Sequence, residues 1–101
     1  MTVQELIVFV NRGKFYSLWE VNDEIENVFG TPIIVADGLN FDEYRWHSIT
    51  TTVYKCDDGY VGVRGCSQLK SERIDWKDVH EIARAEEYEP VQTITYKPKN
   101  R

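Results

Sequence analysis

The sequence predicts one α+β domain, in which two N-terminal helices pack on a mostly antiparallel sheet. Two helix-start patterns fall within the first 20 residues, and each precedes apolar residues at helical spacing. The later stretches 46–56, 60–66 and 91–97 are instead rich in Thr, Val, Ile and aromatic residues. The chain has 101 residues, 42% apolar and 29% charged, a balance typical of one packed domain and not of a disordered chain.

The first helix is predicted from Thr2 and Glu5, which match the capping box, where each side chain accepts a hydrogen bond from the other residue's backbone N–H. It should span about residues 3–11 and end near Asn11 and Gly13. The alternative is a buried strand, because residues 6–10 are all apolar with high β-propensity; the cap favours the helix. The predicted core stripe is Val3, Leu6, Ile7 and Val10.

The second helix, over residues 18–29, is predicted from a repeat of the capping pattern at Ser17 and Glu20 and from Gly30, which suits a helix end. Its apolar stripe comprises Leu18, Val21, Ile25, Val28 and Phe29. Its polar side carries Trp19, Glu20, Asp23, Glu26 and Asn27.

A short strand or extended edge is predicted over residues 31–36, ending at the turn signal Asp37-Gly38 and followed by a loop over 39–45. A hairpin of 46–56 and 60–66 then turns at Asp57-Asp58-Gly59. A three-residue loop with a left-handed Gly59 is favoured, because it pairs Val53 with Val63 and Lys55 with Val61. That register places four aliphatic residues on one face: Ile49, Val53, Val61 and Val63.

The last third of the chain begins with a polar connection over 67–79, from which Ile74 and Trp76 are expected to enter the core. The stretch 79–89 is ambiguous, because its Ala and Glu residues favour a helix while an alternating pattern permits a strand. Residues 91–97 predict a final strand closed by Pro98, and residues 97–101 a short basic tail.

Two cysteines, Cys56 and Cys66, are the only ones in the chain. Cys56 is predicted near the turn on one strand of the hairpin and Cys66 near the far end of the other strand. Their Cα atoms should therefore lie farther apart than the ~7 Å limit of a disulfide. We accordingly expect free thiols and a cytoplasmic protein. Together with His47 and His80 they lack the spacings of a zinc site. We predict no metal, no cofactor and no enzymatic activity, since no group of residues has catalytic spacing.

Charge and hydropathy limit the partners. The net charge of −5 repels phosphate, so we expect no direct binding of nucleic acid. No stretch approaches the ~18–20 apolar residues of a membrane span, and the first 15 residues do not resemble a signal peptide. We therefore expect no membrane partner.

Several segments resemble short proteins of bacterial phages and other mobile elements: Arg45–Lys55, Asp58–Val63, Ser71-Glu72 and Thr93–Lys97. The resemblance covers residues 45–97 and implies a strand in the ambiguous stretch. The sheet then has four strands, 46–56, 60–66, 80–88 and 91–97. A mobile-element origin also implies a small acidic inhibitor of a host defence nuclease.

An indole among carboxylates on the polar side of a helix is typical of a binding surface. Seven acids and no base lie between Lys14 and Arg45. We therefore expect the polar side of the second helix (Trp19, Glu20, Asp23, Glu26 and Asn27) to bind a host protein with a basic surface. One alternative is that Trp19 packs beneath the first helix or the 39–45 loop. Another is a small-ligand site formed by the hairpin aromatics Trp46, Tyr54 and Tyr60.

Overall fold

A computed structural model describes residues 1–91 and 95–99. The helices are α1 (Val3–Gly13) and α2 (Leu18–Phe29), and the strands are β1 (Ile33–Glu43), β2 (His47–Cys56), β3 (Gly59–Leu69), β4 (Arg84–Val91) and β5 (Thr95–Pro98). The strands form one curled antiparallel sheet in the order β1-β2-β3-β4-β5. The α+β class is confirmed, but the predicted four strands are wrong because β1 is a full fifth strand.

Local capping explains why α1 is a helix and not the alternative strand. The Thr2 hydroxyl accepts from the Glu5 N–H at 3.1 Å, and the Glu5 carboxylate accepts from the Thr2 N–H at 2.9 Å. The N–H of Val3 donates to the Asp58 carboxylate at 2.8 Å, so the hairpin turn also caps this helix. α1 continues past the predicted end to Gly13, where Lys14 adopts a left-handed conformation.

The predicted bounds of α2 are confirmed. The Ser17 hydroxyl accepts from the Glu20 N–H at 3.1 Å, and Gly30 closes the helix with a φ of +92°. The buried stripe is narrower than predicted, because Val28 is 57% exposed. Val28 lies at the margin of the stripe, whereas Leu18, Val21 and Ile25 are buried in the core and Phe29 packs against it.

β1 contradicts the predicted turn at Asp37-Gly38 and the predicted loop over 39–45. Gly38 and Asn40 have left-handed φ values of +71° and +52°, and each lies in a bulge where two residues of β1 face one of β2. A bulge bends the strand without ending its pairing. The same local signal that predicts a turn therefore curls the edge of the sheet.

The β2–β3 hairpin has a two-residue loop, Asp57-Asp58, and the predicted three-residue loop is wrong. Cys56 pairs with Gly59, Tyr54 with Val61 and Val53 with Gly62, while the φ of Gly59 is +159° rather than left-handed. The hydrophobic pattern misled the prediction because both faces of β2 are buried. Tyr54 and Cys56 face the helices, whereas Ile49 and Val53 lie on the opposite face.

β4 resolves the ambiguous stretch as a strand, shifted from the predicted 80–88 to Arg84–Val91. Residues before it do not join the sheet, because the N–H of Ala83 donates to the Phe15 carbonyl at 2.8 Å and His80 is left-handed. At the other end Pro90 stays in the strand and pairs with Tyr96.

The final strand β5 is seen over 95–98, while residues 92–94 of the predicted strand lie outside the described residues. Lys97 and Pro98, placed in a basic tail by the prediction, belong to β5. The Lys99 N–H donates to the Glu87 carbonyl at 2.9 Å. Residues 100 and 101 of the predicted tail lie outside the described residues.

The core lies between the two helices and one face of β2, β3 and β4. Leu6, Val10, Val21, Ile25, Tyr54, Val61 and Val63 are among its buried members. Ile74 and Trp76 are half-buried but are not part of this cluster, so the prediction that they enter the core is wrong. The connection that carries them includes a short 3₁₀ helix, Trp76–Val79, on the surface.

Candidate interaction surface

Trp19 is the most exposed large apolar side chain that the structure shows, with 75% of its surface accessible. The Trp19 side chain points to solvent because Leu18 and Val21, on the same turn of α2, are buried. Helical geometry then places the residue between them on the outer side. The alternative in which Trp19 packs beneath α1 or the 39–45 segment is therefore wrong.

A groove of about 530 Å³ runs beside Trp19 and is lined by Ser17, Trp19, Glu20, Asp23, Glu24 and Trp76. The second indole comes from the 3₁₀ helix, which the fold brings next to the start of α2. We call this feature the two-indole groove. Trp76 was missed by the sequence reasoning, since nothing local to it signals that it faces a helix more than 50 residues away.

The carboxylates of α2 have no basic partner among the residues that the structure describes. Within residues 1–91 and 95–99, no Lys, Arg or His lies within ion-pair distance of Glu20, Asp23, Glu24 or Glu26. Their one side-chain hydrogen bond in the described part of the chain comes from the Asn27 amide, which donates to the Glu24 carboxylate at 3.5 Å. The negative charge of this surface is therefore directed to solvent.

The predicted partner-binding residues are brought together in part. Trp19, Glu20 and Asp23 line the two-indole groove, whereas Glu26 and Asn27 are exposed nearer the end of α2 and do not line it. Glu26 lies in the last turn, where the helix macrodipole is negative and a carboxylate is unfavourable. An acid in that position does not serve helix stability.

Trp19 also borders a second, smaller groove on its other side, about 240 Å³ in volume. Ile34 of β1 is half-exposed there and gives this groove an apolar wall. Hydroxyl groups line the floor, among them Thr50, Thr52 and the Tyr54 phenol, which donates to the Asn22 amide oxygen at 3.3 Å. The exposed indole is thus accessible from an acidic side and from a mainly neutral side.

The hairpin aromatics of the alternative ligand site are not brought together. Tyr54 is buried in the core, and burial raises its pKa to about 12. Tyr60 packs against Tyr96, with ring centroids 5.1 Å apart. Trp46 lies at the opposite end of the hairpin from Tyr60, with the Arg45 guanidinium 4.8 Å above its ring.

Trp46 lines a different cavity, of about 490 Å³, together with His47, Ile74 and Val79. The His47 ring stacks on Tyr44 at 5.0 Å, and its Nε2 atom is buried without a hydrogen-bond partner among the residues described. Because Nε2 is sealed from solvent, it is not placed to receive a proton from a molecule in the cavity. The lining also includes Arg73 and Asp78, so the cavity combines an apolar wall with a charged one.

The two thiols are free and buried, at opposite ends of the hairpin. Burial raises the pKa of the Cys56 thiol to about 11 and also raises that of Cys66, so both are protonated at neutral pH. Across the described part of the chain, no three His, Cys, Asp or Glu side chains are grouped to hold a metal ion.

Comparison with models of protein families, with curated proteins and with solved structures finds no match for this chain. None of the helices in the described residues is long and apolar enough to cross a membrane. The geometry and charge of the residues themselves therefore carry the inference of function.

Proposed function

We propose that this chain is a small acidic interaction protein whose two-indole groove binds a basic surface of a host protein and blocks it. One observation carries the proposal: an indole that is 75% exposed stands among carboxylates that lack a basic partner in the described residues. Tryptophan is enriched among residues that dominate binding energy, and exposed acids accelerate encounter with a basic partner.

The groove suits an arginine or lysine side chain. A cation between Trp19 and Trp76 gains cation–π attraction, and the Glu20 and Asp23 carboxylates supply charge-assisted hydrogen bonds. Neither indole needs to leave a packed core to make this contact. Binding would cover apolar surface that folding leaves exposed to water.

Inhibition follows if the covered surface is the one the partner uses. A nuclease holds its substrate with basic residues that neutralise phosphates, and an acidic protein competes for the same residues. The resemblance of residues 45–97 to phage and mobile-element proteins supports a defence nuclease of the bacterial host as the target. The proposed compartment is the cytoplasm, where free thiols such as Cys56 and Cys66 persist.

The test is calorimetric titration of the protein with a short arginine-rich peptide, followed by capture of host nucleases. We expect saturable binding that weakens steeply with added salt, because screening removes charge attraction beyond the ~8 Å Debye length. The triple variant Trp19→Ala/Glu20→Lys/Asp23→Lys should abolish binding and keep the parental fold, since none of the three side chains is buried.

A matched control is Phe41→Ala/Glu72→Lys, which removes an exposed aromatic ring and reverses an exposed acid outside the groove. It should bind the peptide as the parent does. The control reverses one acid and the triple variant reverses two, so a loss of binding free energy in the control about half that of the triple variant would show that only net charge matters. Undiminished binding by the triple variant would refute the groove as the site.

A further inference from the structure

The face of the sheet that points away from the helices also carries a cavity, of about 600 Å³. Its lining includes Asn40 of β1, Arg64 of β3, Arg84 and Tyr88 of β4 and Pro98 of β5. Residues from both edge strands meet here because the bulges of β1 curl the sheet into a concave surface. A volume of this size is in the range of small-molecule sites.

The floor of this concave cavity is built by Gly62 and Tyr88. The Tyr88 ring lies directly over Gly62, so that any side chain at that position would overlap it. Tyr88 is only 4% exposed, yet its hydroxyl makes no hydrogen bond to the residues that the structure describes. Since this oxygen is not among the buried atoms without a partner, it reaches solvent at the cavity and can donate to a group bound there.

Two arginines stand side by side at this floor. Arg64 and Arg84 are direct cross-strand partners, which places their Cβ atoms roughly 5 Å apart on one face. Like charges directly opposite each other are destabilising. The sequence alone does not show this pair, because its members are 20 residues apart and the connection between them is irregular.

The two guanidinium groups differ in what already holds them. Arg64 donates to the Asn40 carbonyl at 2.6 Å and is paired with the Asp42 carboxylate. Arg84 is exposed and forms no ion pair within the described residues. Arg64 is therefore held in place by contacts within the protein, whereas the N–H donors of the Arg84 guanidinium remain available to a ligand.

We propose that the concave cavity binds a small molecule through a single anionic group, a carboxylate or a phosphate, held by Arg84 and Tyr88 beside Arg64. The guanidinium fork matches the two oxygens of such a group, and the phenol supplies a further donor. Glu86 also lines this cavity. This site lies on other residues than the two-indole groove and does not depend on the function proposed for it.

The probes are benzoate and inorganic phosphate, each titrated into the full chain and followed by amide chemical shifts. We expect saturable shifts at Gly62, Arg84 and Ala85 with at least one probe, and the tighter probe identifies which anionic group the site takes. Arg84→Gln should weaken binding about 10-fold or more, because a charge-assisted hydrogen bond is lost. Tyr88→Phe should weaken it several-fold while the ring still covers Gly62.

Arg12→Gln is the matched control, since Arg12 is an exposed arginine on α1, away from the cavity, and its removal changes net charge equally. It should leave both titrations unchanged. Absence of saturable shifts with both probes would overturn the proposal, as would equal weakening by Arg12→Gln and Arg84→Gln. If Arg84→Gln does not fold, Arg84→Lys keeps the charge without the fork and should give intermediate affinity.

Discussion

Acidic side chains in the sheet meet basic ones from neighbouring segments, whereas those on α2 face solvent. Lys97 lies 3.5 Å from Glu89, Lys99 lies 3.2 Å from Glu87, and Lys70 is paired with Glu43. On α2, none of the four carboxylates has such a partner within the described residues. Each exposed ion pair contributes little stability, but these pairs cancel the electrostatic field of the acids in the sheet. The field of the α2 carboxylates is not cancelled.

This difference separates residues that maintain the fold from residues that folding does not need. Substitutions in the sheet and its supports should lower the free energy of unfolding. Substitutions on the exposed side of α2 should change it by no more than ~1 kcal/mol in either direction. The three predictions below test that separation, from the largest expected effect to the smallest.

Gly62→Ala should destabilise the sheet most, because the added methyl group overlaps the Tyr88 ring. Overpacking of this kind costs ~1–3 kcal/mol. Urea unfolding measures the loss. In the double variant Gly62→Ala/Tyr88→Ala the two effects should be less than additive, since the ring that causes the overlap is gone. Additive losses would show that Tyr88 does not cover Gly62.

Asn11→Ala should cost ~1–3 kcal/mol, because one side chain satisfies two backbone groups of β4. The Asn11 amide donates to the Ala85 carbonyl at 3.0 Å and accepts from the Ala85 N–H at 2.8 Å. These groups lie on the free edge of β4 before its pairing with β5 begins. Arg12→Ala, one residue further and exposed, should change stability by no more than ~0.5 kcal/mol. Equal losses would mean that the two Asn11 hydrogen bonds do not stabilise the edge of β4.

Glu26→Gln should stabilise the protein slightly, by ~0.3–1 kcal/mol at low ionic strength, because it removes a negative charge from the last turn of α2. Glu20→Gln, in the first turn, should have the opposite sign for the same reason. Thermal unfolding at low and high salt measures both, and salt should shrink each effect. Shifts of the same sign would show that the macrodipole does not govern these positions.

Elements whose signal is local were predictable. The caps at Thr2 and Ser17 act within four residues of the chain, so both helices were found with nearly correct bounds. The exposed side of α2 followed from the same helical geometry, which is why Trp19, Glu20 and Asp23 were correctly placed together.

Elements that depend on pairing were less predictable. The local sequence at Gly38 is typical of a turn, but pairing with β2 makes this segment a bulged strand. The hairpin register was missed because Val53 and Tyr54 are both buried, on opposite faces, and alternation then gives no preference. β4 began late because Ala83 bonds to Phe15 and not to a strand.

The sequence by itself therefore determined the helices, the β-rich hairpin, the free thiols and the acidic side of α2, because each depends on spacing within a few residues. Only the tertiary structure decided that Trp76 joins Trp19, that Arg64 faces Arg84, and that Asn11 closes the edge of β4. These pairs join residues 20 to 74 positions apart. Contacts of that kind are set by strand register and by the packing of helices on the sheet, which local periodicity does not encode.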